Sequence, residues 1–171
     1  KAGRRELTSA CGALEPSRYN TLLGRLPRPA VAFKASTYDG GETGLYAYQG
    51  KVVFLNFWAT WCPPCVQEIP SMERLQQALA GEDGFAMLAV SSDDNWSNVR
   101  KFFARGTNLP VVLDAPKGER SSGAIARSYG TEKLPETYLI DKQGNVRYYF
   151  INSREWDSAD ALRCIRGLLQ E

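Results

Sequence analysis

The sequence predicts an α/β domain built as a central mixed sheet with helices on both faces. Three observations carry this expectation. Residues 52–58, "VVFLNFW", are apolar except for Asn56, which suits a central strand covered on both sides. Strand-like and helix-like segments alternate through the middle of the chain. Near the end, "ETYLIDKQGNVRYYF" reads as two strands joined by a turn too short for a crossover, so this pair is antiparallel and the sheet is mixed.

Residues 1–29 are rich in Gly, Pro and Arg and read as a loosely structured amino-terminal arm, with "GRRE" locally basic. Residues 30–171 read as a single domain. "RLPRPAVAF" enters it as extended chain, because each proline biases its predecessor away from helix. "ASTYDGGETGLYAYQG" is turn-rich, with "DGG" as the hairpin or loop signal. After the 52–58 strand, residues 64–80 predict a helix with Val66, Ile69, Leu75 and Leu79 on its apolar face and a kink at Pro70. "GFAMLAVSS" is the next strand. "DDNWSNVRKFFARG" is a helix with an Asp or Asn cap and a Gly stop. "PVVLDA" is a short strand and "SSGAIARSYG" a short helix. The polar stretch 114–130 is long for a link and reads as an added surface loop. The last helix, "SADALRCIRGLLQE", turns Ala161, Leu162, Ile165, Leu168 and Leu169 inward.

The 171 residues are 43% hydrophobic and carry a formal charge of +2, which fits one folded domain and singles out no partner. No block of basic residues points to nucleic acid, and no apolar run is long enough to span a membrane. The sequence starts without Met, so the missing targeting segment says nothing about compartment. The chain has no histidine. That excludes histidine metal ligands, Ser-His and Cys-His pairs, and histidine acid–base chemistry. Cysteines and carboxylates remain as the reactive groups.

Two of the four cysteines stand in "WATWCPPC", residues 58–65. A zinc site needs about four ligands, and neither histidine nor a second close cysteine pair is available. A permanent Cys62–Cys65 disulfide would close a very small loop and remove little unfolded-state entropy. A reversible disulfide explains more. The pair sits where a buried strand gives way to a helix, and free N–H groups at that helix end favour a thiolate on Cys62. Cys65 falls one turn further in, placed to resolve a mixed disulfide. Pro63 and Pro64 fit the first helical positions, where no donor is needed. Cys11 and Cys164 are open to three readings: a disulfide pinning the arm to the last helix, separate thiols, or an intermolecular link.

"NFWATWCPPCVQEIP" resembles the active-site region of the extracytoplasmic thioredoxin-like reductases, the cytochrome c maturation thioredoxins and their TlpA-like and ResA-like relatives. "GKVVFLNFWATWCPPC" is similar over its whole length. "YGTEKLPETYLIDKQGNV" resembles the segment that carries that family's cis-proline. The resemblance covers roughly residues 30–170 and implies a thioredoxin-like fold. It implies that Cys62 is the exposed nucleophile, Cys65 the buried resolving thiol and Pro135 the cis-proline. The backbone of Leu134 is then placed to bond an extended substrate. Trp61, beside Pro63, is implied to lie partly exposed against the disulfide, with Trp58 packed behind. In several members a glutamate matching Glu68 approaches the thiols, which implies proton exchange with Cys65. Read alone, Glu68 equally suits a solvated residue favoured by the helix dipole. Glu136, directly after Pro135, departs from the family pattern and either selects a basic partner or faces solvent. Asn56 needs a partner that the sequence does not name.

The expected function is therefore a thiol–disulfide oxidoreductase, mainly a reductant of protein disulfides outside the cytoplasm. It needs no cofactor and no metal. Its implied partners are a protein disulfide, such as apocytochrome c or a metal-site assembly protein, and a membrane thiol electron donor. No nucleic acid is implied, and the expected state is a monomer. The implied location is the periplasm or the outer face of the membrane, with any anchor outside this sequence. The competing readings are a disulfide oxidase or isomerase and a non-catalytic binding module. The motif alone does not choose, because direction depends on potential.

Overall fold

The computed structural model describes residues 9–131 and 133–171; the first eight residues, "GRRE" among them, and Glu132 lie outside the described residues. The strands are β1 (Tyr19–Asn20), β2 (Gly24–Arg25), β3 (Arg28–Pro29), β4 (Lys34–Thr37), β5 (Glu42–Gly44), β6 (Val52–Trp58), β7 (Phe85–Ser91), β8 (Val111–Leu113), β9 (Glu136–Ile140) and β10 (Asn145–Ile151). The helices are α1 (Pro63–Ala78), α2 (Trp96–Phe102), α3 (Ala124–Ser128) and α4 (Ala159–Leu169), with a 3₁₀ turn at Leu45–Tyr48 and a helical segment at 9–13.

Eight strands form one sheet in the order β3-β10-β9-β6-β7-β8-β4-β5. β6, β7 and β8 run parallel, with helical crossovers between them. β9 joins β6 antiparallel, and β10 joins β9 antiparallel. The sheet is thus mixed, as the sequence predicts. β1 and β2 make a separate two-stranded ribbon.

The alternation of β6 assigns its two faces. Val52, Phe54 and Trp58 pack in one layer with Cys65, Ile69, Met72 and Leu75 of α1, Val99 of α2, and Ala161, Ile165 and Leu168 of α4. Val53, Leu55 and Phe57 pack in the other with Ala126 of α3, Tyr129 and Tyr138. Both layers are closed, so β6 has no solvent face and all seven of its residues are buried. α1 begins one residue earlier than predicted and runs unbroken through Pro70.

Residues 9–29 are more firmly held than their composition suggests. Cys11 is disulfide-bonded to Cys164 across 153 residues, and both are fully buried. Of the three open readings, the pin to the last helix is the one found. Buried Asn20 donates to the Tyr129 carbonyl at 2.8 Å and to the Tyr138 hydroxyl at 3.0 Å. β3 pairs with β10 at the sheet edge. In the polar 114–130 stretch, Asp114 accepts from the Ile125 and Ala126 N–H groups and so caps α3 from a distance. Gly123 is required there, because a Cβ would fall 2.0 Å from the Asp114 carbonyl oxygen.

Candidate active site

β6 ends at Trp58, and α1 starts at Pro63 after a tight turn of four residues. Asp93, fully buried just past β7, holds that turn. Its carboxylate accepts from the Thr60 N–H at 3.0 Å, the Thr60 hydroxyl at 2.5 Å and the Ser91 hydroxyl at 2.6 Å. Cys62 is the N-cap of α1 in extended conformation, and the Cys65 N–H points at its Sγ at 3.4 Å. Pro63 and Pro64 occupy the first two helical positions, where their missing donors are not needed. The positive end of α1 therefore converges on Cys62 Sγ.

Cys62 and Cys65 are disulfide-bonded. Cys62 is 5% exposed and Cys65 fully buried. The exposed nucleophile expected at Cys62 is thus corrected: it is only the less buried of the two, because the turn and the 134–135 loop close over it. Trp61 is 54% exposed at the rim. Trp58 is fully buried behind, with ring centroids 5.6 Å from Phe102 and 5.5 Å from Phe103.

The Leu134–Pro135 bond is cis, and the Leu134 carbonyl oxygen lies 3.6 Å from Cys62 Sγ. Pro135 is buried, Leu134 half-buried and Pro63 exposed. The structure thus brings the disulfide and the 134–135 backbone together. A second cis bond, Leu26–Pro27, was not foreseen from sequence.

Glu68 is 2% exposed on the inner face of α1. It does not take the solvated alternative. Its Oε1 accepts from Asn56 Nδ2 at 2.8 Å, and its Oε2 accepts from the Arg154 N–H at 2.9 Å. Asn56 Nδ2 also donates to the Thr137 hydroxyl at 2.9 Å. Burial raises the Glu68 pKa from 4.5 to about 7, against the opposing pull of the Trp156 indole, the Arg154 N–H, Asn56 and the Arg154 charge. The indole favours the charged form although its N–H closes no hydrogen bond of ordinary geometry. One helical turn separates Glu68 from Cys65, so the carboxyl lies on the thiol's side of α1.

Glu136 requires a correction. It does not face solvent. It is 5% exposed and accepts from the Thr131 hydroxyl at 2.6 Å. The reason is topological: β9 lies between β10 and β6, and both of its faces are covered. Asp93, Thr137 and Arg154 were not singled out from sequence. Their only signal is geometric, since each meets the site across a long stretch of chain. Among the described residues no cluster of three or more Cys, Asp or Glu is arranged to hold a metal ion.

Comparison with known proteins places these features in a family. The Redoxin family model matches residues 26–165. The chain is 40% identical over 119 residues to a thiol-disulfide oxidoreductase ResA of Geobacillus thermodenitrificans, covering 69% of this chain and 64% of that protein. It is 34% identical over 142 residues to a ResA of Bacillus thuringiensis, covering 80% and 78%. A crystal structure of a putative thiol:disulfide interchange protein DsbE from Chlorobium tepidum superimposes with a TM-score of 0.72 at 31% identity, covering 84% of this chain and 96% of that one.

Proposed function

The chain belongs to the Redoxin family, and from that premise we propose that it is a thiol–disulfide oxidoreductase that reduces protein disulfides outside the cytoplasm. One observation carries the reading: Cys62 caps α1 beside the cis Leu134–Pro135 bond, with Cys65 and the buried Glu68 carboxyl behind it. In the reduced protein the Cys62 thiolate attacks a substrate disulfide. A Cys62–substrate disulfide forms, and one substrate thiolate leaves and takes a proton. Ionised Glu68 accepts the Cys65 proton. The Cys65 thiolate then attacks Cys62 Sγ, the Cys62–Cys65 bond forms, and the second substrate thiol is released. Two electrons pass from the dithiol to the substrate, so an external thiol donor must restore the pair.

Trp61, Pro63 and the Leu134 backbone supply the surface on which an extended substrate strand lies across Cys62, with Pro135 shaping it. The names of the ResA and DsbE relatives support this reading of the chemistry. Apocytochrome c or a metal-site assembly protein is the proposed substrate class, with a membrane thiol protein as electron donor. No helix among the described residues is long and apolar enough to cross a membrane.

The test is the reduction potential of the Cys62–Cys65 pair in a thiol redox buffer, with insulin reduction as the turnover assay. A potential below about −220 mV, with turnover lost in Cys62→Ser, supports the reductant. A potential near about −120 mV would make the protein an oxidant instead.

A further inference from the structure

We propose that Arg154 is a positioning residue for the thiol chemistry: it clamps the 151–154 connector against the amino-terminal segment, and the Cys11–Cys164 disulfide holds that clamp closed around the Glu68 carboxylate. The inference rests on the reading of Glu68 as the proton acceptor of Cys65.

The guanidinium is half-buried and gathers carbonyls from two distant parts of the chain. Nε donates to Leu14 O at 2.7 Å, and Nη2 donates to Glu15 O at 3.1 Å. Nη1 donates to the carbonyls of Ile151, Asn152 and Ser153 at 2.8, 3.3 and 3.0 Å. A guanidinium presents five donors in a rigid fork, which lets one residue fix several carbonyls at once. Its own N–H is thereby aimed at Glu68 Oε2.

The same connector reaches the other side of the site. The Asn152 N–H donates to the Pro135 carbonyl at 2.9 Å, with Asn152 in the left-handed region at φ 73°. The Arg154 carbonyl accepts from Ser71 on α1 at 3.3 Å, and Ser71 in turn accepts from the Trp156 N–H at 3.1 Å. The 152–156 segment therefore ties the cis-proline, the Glu68 carboxylate and α1 together. Its second anchor is the 9–15 segment, whose Ala10, Cys11 and Leu14 are buried in the α1 layer. Cys11 is bonded to Cys164 on α4, three residues from Leu14. The pin and the clamp are one unit.

Among the described residues, the groups that face Glu68 are few. β6 contributes Asn56, the connector contributes Arg154 and Trp156, and α1 itself contributes Cys65. β9 contributes Thr137 through Asn56, and the nearby residues of α4 are apolar or the bonded Cys164. Arg154 is thus the charged group whose loss would be felt at the carboxylate, and both its charge and its N–H favour ionisation.

The test follows the Glu68 carboxyl resonance by carbon-13 NMR across pH in the oxidised protein, where neither active-site thiol titrates. Glu68→Gln assigns the signal. Arg154→Ala is expected to move the midpoint upward by about 1 pH unit, through loss of the nearby positive charge and release of the N–H. Arg154→Lys, which keeps the charge but not the fork, should move it upward by less. Cys11→Ala/Cys164→Ala, which keeps Arg154 whole, should also move it upward. An unmoved midpoint in Arg154→Lys and in the double alanine variant overturns the clamp, whether or not Arg154→Ala folds. The underlying reading fails separately. If Glu68→Gln leaves the pH profile of disulfide exchange unchanged, Glu68 is not the acceptor, even where the clamp shifts its titration.

Discussion

Replacing Glu68 by Gln converts the site's main electrostatic cost into a stability measurement. The buried carboxyl has its pKa raised from 4.5 to about 7, with burial as the leading cause. The folded state therefore holds the Glu68 proton more tightly than the unfolded state. Between these two values the unfolded chain binds fewer protons, so stability falls as pH rises through this window. The favourable contribution is fully present below pH 4.5 and lost above about pH 7. The span corresponds to about 3 kcal/mol. Gln has a similar shape, keeps an oxygen for Asn56 Nδ2 and does not titrate, so its variant lacks this pH-dependent loss. Urea unfolding of both oxidised proteins at pH 4.5 and pH 8 gives the comparison. The wild type should lose about 3 kcal/mol more than Glu68→Gln over that range. Parallel losses would refute the reasoning, because they would mean that Glu68 ionises as freely when folded as when unfolded.

Three further outcomes are expected. Cys11→Ala/Cys164→Ala opens a link across 153 residues and should cost about 5 kcal/mol, lowering the calorimetric Tm by about 10–20 °C. Asp93→Ala strips the Thr60 N–H and hydroxyl of their acceptor; it should cost about 2 kcal/mol in urea unfolding and speed amide exchange at Thr60. Trp61→Ala removes an exposed rim residue, so stability should change by less than about 0.5 kcal/mol. Its KM for a protein disulfide should rise about fivefold or more, with a small-molecule disulfide unaffected.

The frame of this fold was readable because its signals are local. The 52–58 run, the short turn between the last two strands and the Cys-Pro-Pro-Cys at a strand–helix junction each state their own geometry. The Asn56–Glu68 contact was half readable. Asn56 interrupts an apolar strand and Glu68 sits among the buried residues of α1, so two polar residues stand in facing apolar layers. Only the packing of α1 against β6 shows that they meet. Glu136 misled for a related reason. It opens a strand that the sequence predicts, but only the sheet order shows that this strand is interior and the side chain enclosed. Arg154 carries no sequence signal at all. Its partners are backbone carbonyls, two of them 139 and 140 residues away, which any residue types would provide.

The central claim, that Cys62 attacks and Cys65 resolves, is tested most directly by trapping. Cys65→Ala protein is mixed with a protein disulfide, acid-quenched and digested, and the adduct is located by mass spectrometry. The account expects a stable mixed disulfide on Cys62, absent from Cys62→Ala, with Cys11 and Cys164 still joined. An adduct on Cys11 or Cys164, or none on Cys62, would contradict it.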